Sequence, residues 1–265
     1  MQVVIVATPA EVGRLAATKI SHLVRRRPDA VLGLATGSSP LAIYAELARQ
    51  VAEDGLDCSQ VRAFALDEYV GLPPGHPESY RAVLDRDVVK PLGMDPARVH
   101  VPDGSAADPA AACADYEARI AEIGPVDLQI LGVGANGHIG FNEPTSSFAS
   151  RTRIKTLAPT TRADNARFFD SPEQVPMHCL TQGLGTILDA TTLVLVAQGE
   201  AKADAVARMV EGPVSSMCPG SALQLHRDAN VFVDEAAASR LTLADYYRYT
   251  FDNRPDWQRF EAPPA

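Results

Sequence analysis

The chain has 265 residues, 46% hydrophobic and 22% charged, a globular composition with enough apolar side chain to build a substantial core. Its formal net charge of −9 excludes the broad positive field that gathers nucleic acid or anionic lipid. An anionic ligand would have to be held by a few placed cations and backbone N–H groups instead.

The four cysteines, Cys58, Cys113, Cys179 and Cys218, are too widely spaced for a CxxC metal or redox motif and too few for a disulfide framework. They point to a reducing, cytoplasmic setting. The opening stretch MQVVIVATPAEV has no basic region followed by a long apolar one, and no window approaches about eighteen uninterrupted apolar residues. The expectation is a chain neither exported nor membrane-spanning.

In chain order, β-branched runs occur at 3–7 (VVIVA), 31–35 (VLGLA), 61–66 (VRAFAL), 126–134 (VDLQILGVG) and 191–199 (TTLVLVAQG), with amphipathic helical patterns between most of them. Such alternation predicts an α/β fold on a parallel sheet. No repeat, low-complexity tract or Pro/Gly-rich linker interrupts the rhythm before the tail EAPPA at 261–265, so one domain is expected over 1–265. In open α/β sheets ligands sit beyond the carboxyl ends of the strands, and four such places carry chemistry here.

After VLGLA the turn Thr36-Gly37-Ser38-Ser39-Pro40 feeds the helical pattern LAIYAELARQVAE, where N–H groups, hydroxyls and the helix dipole could meet an anion. Alternatively Ser39 simply caps the helix, with Pro40 at its first position. After VRAFAL come Asp67 and Glu68, a candidate general base at the mouth of the sheet; the rival reading has Asp67 bonding loop N–H groups and Glu68 as a solvated charge. After VDLQILGVG comes Ala135-Asn136-Gly137-His138-Ile139-Gly140-Phe141-Asn142-Glu143-Pro144. A bent loop could fold Glu143 onto His138 to orient the imidazole. After TTLVLVAQ, Gly199-Glu200-Ala201-Lys202 opens a helix, and Lys202 with Arg162 or Arg167 could neutralise a phosphate.

The strings LGLATGSSPLAIY, FALDEYVGL, HPESY, GVGANGHIGFNEP, SRTRIKTL, TRADNARFF, QVP, GEAKA and LQLH, in this order, closely resemble the glucosamine-6-phosphate deaminase family over about residues 1–240. The resemblance implies a Rossmann-like, doubly wound, mainly parallel sheet with helices on both faces, and no metal or organic cofactor. It implies a hydrolase of amino-sugar catabolism that turns D-glucosamine 6-phosphate into D-fructose 6-phosphate and ammonia. Asp67 then matches the base that moves a proton between C2 and C1, and His138, supported by Glu143, the group that opens the sugar ring. Asn136 stands where some relatives have Asp, which leaves it hydrogen bonding but no charge.

Gly37, Ser38, Ser39, Arg167 and Lys202 match the family's phosphate site, and the segment 157–180 its lid. Ser146, Arg153 and Lys155 match the residues through which oligomeric relatives bind the effector N-acetylglucosamine 6-phosphate, so the resemblance permits an allosteric homo-oligomer. The C-terminal segment 239–260 departs from those relatives. Two rivals on the same fold are a 6-phosphogluconolactonase-like enzyme and a non-catalytic sugar-phosphate sensor. DEY together with NGHIGFNEP favours the deaminase, and a sensor has no need of a base or a His/Glu relay.

Overall fold

The computed structural model describes residues 1–259; the tail at 261–265 lies outside the described residues. Strand β1 (Gln2–Val6) leads into helix α1 (Pro9–Arg26), β2 (Val31–Leu34) into α2 (Leu41–Glu53), and β3 (Arg62–Ala65) is followed at once by β4 (Asp67–Tyr69). Then come α3 (Tyr80–Leu84), β5 (Val99–His100), α4 (Pro109–Ile123) and β6 (Leu128–Leu131). Strand β7 (Arg153–Thr156), α5 (Pro159–Asn165), β8 (His178–Thr181), α6 (Leu184–Leu188), β9 (Thr192–Ala197), α7 (Ala203–Val210), β10 (Ala229–Asp234) and α8 (Ala244–Asp252) complete the order.

Seven strands form one sheet, β1-β10-β9-β6-β2-β3-β5, with every neighbouring pair parallel. Every residue of β2, β6 and β10 is buried, polar Gln129, Asn230 and Asp234 included, as strands are when helices cover a parallel sheet. From β2 the chain steps outward through β3 to β5, then returns to lay β6 on the other side of β2. This reversal opens a crevice at the carboxyl ends of β2 and β6, the place where ligands bind in such sheets. The expected parallel α/β architecture is therefore present, and no described helix is long and apolar enough to cross a membrane.

Two local details differ from expectation. Helix α2 begins at Leu41 with Pro40 in the capping position at φ −81°, and no side chain caps it. Ser39 is not the cap; its side chain is turned towards Gly132 at the end of β6, 3.3 Å from where a β-carbon there would lie. The second is a separate antiparallel sheet, β4-β8-β7, in which Asp67 pairs with Thr181 and Thr181 with Arg153. Gln182, just beyond β8, ties this sheet to the central one by donating from its backbone to Leu66 and from its side chain to Ala65.

Helix α1 starts in a reciprocal cap between Thr8 and Glu11 and lies so close to α2 that a β-carbon on Gly13 would stand 2.5 Å from Ala42 Cβ and 2.7 Å from its carbonyl carbon. In an exposed helix, Gly→Ala stabilises by ~1 kcal/mol. Forcing two packed helices apart costs ~1–3 kcal/mol and wins here. Gly13→Ala should therefore lower the midpoint of thermal unfolding by roughly 2–8 °C, read by calorimetry.

Candidate active site

A cleft of about 450 Å³ lies over the β2/β6 crevice, lined by Thr36 to Ser39, Asp67, Gly132 to Ala135, His138, Arg167 and Lys202 among others. Three of the strand ends singled out from the sequence open into it, together with the start of the segment after β9.

Asp67 sits where the chain leaves the central sheet for the small one. It is 6% exposed, and its carboxylate has no hydrogen-bond partner among the described residues. Burial, and then the negative charge of Glu68, hold it well above the usual carboxylate value of 3.8. Glu68 behaves oppositely to its expected solvated role. It is buried and accepts from the backbone N–H groups of Tyr69 (2.7 Å), Tyr80 (2.9 Å) and Arg81 (2.9 Å), pinning the start of α3. The adjacent carboxylates thus divide the work: Glu68 anchors backbone, and Asp67 is left bare towards the cleft.

A bare buried carboxylate is destabilising at neutral pH. Since its folded value lies above its unfolded value, the stability linked to Asp67 is full below about pH 3.8 and is lost as pH rises through the raised folded value. Asp67→Asn should accordingly raise the melting temperature at pH 7 but not at pH 3, a pattern that parallel melts at the two pH values would reveal.

The loop after β6 carries the relay. Asn136 Nδ2 donates to Glu143 Oε2 at 2.7 Å, which turns Oδ1 towards His138, where it accepts from the backbone N–H at 3.1 Å and faces Nδ1 at 2.8 Å. An acceptor opposite Nδ1 places the proton there and leaves Nε2 with a free lone pair. Glu143 Oε2 is 3.6 Å from Nδ1, so the loop does fold the two together, with Asn136 as the direct bridge between them. Burial pushes the Glu143 carboxyl up, but bonds from His138, Thr161 and Asn136 and the attraction of His138 overcome it, bringing it to about 2. Gly134 is required by this arrangement: a β-carbon there would lie 2.1 Å from the His138 ring.

The expected phosphate residues also converge. Gly37 has φ +85° with nothing within 4 Å of its absent β-carbon, a bare backbone turn opening onto the cleft. Arg167 donates to Ser38 Oγ at 3.2 Å, and Ser39 faces the β6 loop. Lys202, at the start of α7, is lowered by burial, against the attraction of Asp164 and with a smaller push from Arg167, so two cations and one carboxylate border one space. Arg162 does not join them; it donates to the Val175 carbonyl at 2.8 Å.

Residues 157–177 form a helical excursion between β7 and β8, closed at its root by Leu157 donating to Met177. Within the segment 157–180 expected as a lid, the excursion ends at Met177 and residues 178–180 belong to β8. Phe169 of the excursion packs edge-on against Tyr69, which clusters with Tyr80 and Phe141. Arg153 Nη2 donates to the buried Ser146 at 3.2 Å and Nη1 to Asn142 at 2.8 Å, with Lys155 two residues further along β7.

The sequence reading missed Thr161, whose hydroxyl donates to Glu143 at 2.5 Å, and Asn165, which donates to Tyr69 Oη at 2.9 Å. Both lie within TRADNARFF, but nothing in the spacing distinguishes a lid hydroxyl facing the site from one facing water.

The family model for glucosamine-6-phosphate isomerases and 6-phosphogluconolactonase matches residues 7–232. The chain belongs to this family. It is 61% identical to a glucosamine-6-phosphate deaminase of Pseudarthrobacter chlorophenolicus, over 97% of this chain and 99% of that one. It is 60% identical to one of Streptomyces coelicolor, with the same coverage. A solved structure of a monomeric glucosamine-6-phosphate deaminase superposes with a TM-score of 0.89 at 41% identity, covering 91% of this chain and all of that one. Membership makes a sugar phosphate the substrate class, in agreement with a cleft that joins paired cations to a bare carboxylate.

Proposed function

We propose that this protein isomerises and deaminates D-glucosamine 6-phosphate, giving D-fructose 6-phosphate and ammonia. The observation that carries the assignment of roles is that Asp67, bare and buried, shares one cleft with His138 and with the Arg167/Lys202 pair.

In this reading Gly37, Ser38, Ser39, Arg167 and Lys202 hold the phosphate and thereby position the carbons that react. His138 Nε2 takes the proton of the anomeric hydroxyl and returns one to the ring oxygen, opening the pyranose. As a cation it shares its Nδ1 proton with Asn136 Oδ1 and is stabilised by Glu143. Asn136 thus orients and Glu143 supplies the charge. Asp67 removes the C2 proton of the open-chain aldehyde, forming an enolamine, and delivers a proton to C1. Water adds to the resulting C2 imine, and the carbinolamine expels ammonia. A raised Asp67 is a stronger base than an ordinary carboxylate, which suits it to taking a proton from carbon. The lid excludes bulk water from the enolamine.

The direct test is stoichiometric release of ammonia and fructose 6-phosphate from glucosamine 6-phosphate by chelator-treated protein. Asp67→Asn should lower kcat by roughly 10²- to 10⁴-fold with KM little changed. Near-normal turnover would remove Asp67 from the base role. Lys202→Ala should chiefly raise KM, and an unchanged KM would remove Lys202 from the phosphate grip. The acid limb of kcat/KM should lie above the ordinary carboxylate range, because Asp67 must lose its proton to act.

The proposal extends to a cytoplasmic setting and to an effector, N-acetylglucosamine 6-phosphate, held in an oligomer at Ser146, Arg153 and Lys155. Their grouping at the root of the lid supports it. A sigmoidal rate curve made hyperbolic by the acetylated sugar is the expected result. A hyperbolic curve that the acetylated sugar leaves unchanged would release the three residues from that role.

A further inference from the structure

The two oxygens of Glu143 are sorted by element. Oε2 receives Asn136 Nδ2 at 2.7 Å and faces His138 Nδ1 at 3.6 Å, both from the loop after β6. Oε1 receives the Thr161 hydroxyl at 2.5 Å and the Ala158 backbone N–H at 3.3 Å, both from the lid. Thr161 is buried on α5, and its hydroxyl reaches across to the carboxylate where a helical threonine commonly turns back to a carbonyl of its own helix. One turn on, Asn165 fastens the lid to Tyr69, and beyond α5 Arg167 fastens it to Ser38. Thr161 is the lid side chain, among the described residues, that touches the relay.

We infer that Thr161 is a positioning residue for the proposed reaction: its hydroxyl fixes Glu143 only when the lid is down, so that lid closure and alignment of the His138 relay are one event. With the lid raised, Oε1 loses both donors and the carboxylate is free to turn. Asn136 Nδ2 then loses its acceptor, and nothing holds Oδ1 towards the imidazole. Ring-opening chemistry is thereby confined to the closed, water-poor state. The inference rests on the roles assigned to His138 and Glu143 above.

Two readouts test it. Thr161→Val keeps shape and removes the hydroxyl. It should lower kcat roughly 10- to 100-fold, the loss of one hydrogen bond to a charged group, with KM within about twofold because the phosphate residues are untouched. Thr161→Ser should restore kcat. In a Glu143→Ala background Thr161→Val should cost less than about twofold more, since its partner is already gone. An equal further loss there would overturn the inference.

The second readout needs no turnover and so stands apart from the reaction itself: titration of the Glu143 side-chain carboxyl by ¹³C NMR. The titratable groups facing it are His138 and the buried Cys179 thiol of β8, both unaltered in these variants. The midpoint should rise in Thr161→Val but stay low in Thr161→Ser. It should also rise, though less far, in Asn165→Ala, which keeps the Thr161 hydroxyl but loosens the segment that carries it. An unchanged midpoint in Thr161→Val would overturn the inference, whereas absence of ammonia from the wild type would instead overturn the reaction proposed for the cleft.

Discussion

The site depends on one carboxylate being kept without a partner. Asp67 is buried among groups that could satisfy it, and the chain satisfies the groups around it instead: Glu68 takes three backbone N–H groups, Tyr69 receives Asn165, and Thr181 donates elsewhere. A bare buried carboxylate costs stability, and the seven-stranded sheet beneath it tolerates that cost through strands buried on both faces. The chemistry therefore sits at the edge of the small sheet, at the point where β3 gives way to β4, and its energetic support comes from the large one.

Charge is handled locally throughout. The molecule is acidic overall, yet Arg167 and Lys202 meet over a glycine turn and the opened end of a strand. Lys202 alone would be a helix-terminus lysine and Arg167 alone a lid arginine. In the proposed reading a phosphate dianion settles between them and draws the Arg167 segment onto the cleft.

Much of this was legible in the sequence because parallel strands announce themselves and chemistry follows their carboxyl ends. Asp67, His138 and Glu143 each stand within a few residues of an apolar run, so they could be picked out before any geometry was known. The small sheet was not legible. Its strands are three or four residues long, and β7 reads RIKT with alternate residues exposed, too brief and polar to separate from loop. Strand β10 escaped for a related reason, since Asn230 and Asp234 break its apolar run. Ser39 misled because a Ser-Pro pair before a helical pattern is a capping signal, whereas tertiary packing against Gly132 claims its side chain. Thr161 was beyond reach, because its partner is eighteen residues away and the turn of the lid decides which face it shows.

The lid grows from the far end of a β-hairpin whose pairing is complete before the excursion starts, with Thr156 opposite His178 and Leu157 closing on Met177. Nothing in the central sheet's register passes through it. For protein engineering this makes residues 158–176 an exchangeable cassette. A cover of different length or composition can be grafted onto the same two hairpin ends without re-registering any core strand, provided that it returns a hydroxyl to the inner carboxylate and a cation to the Ser38 turn. Within a family that spans amino-sugar isomerases and lactonases, such a layout lets the cover vary while the strand ends below keep the carboxylate and the histidine in place.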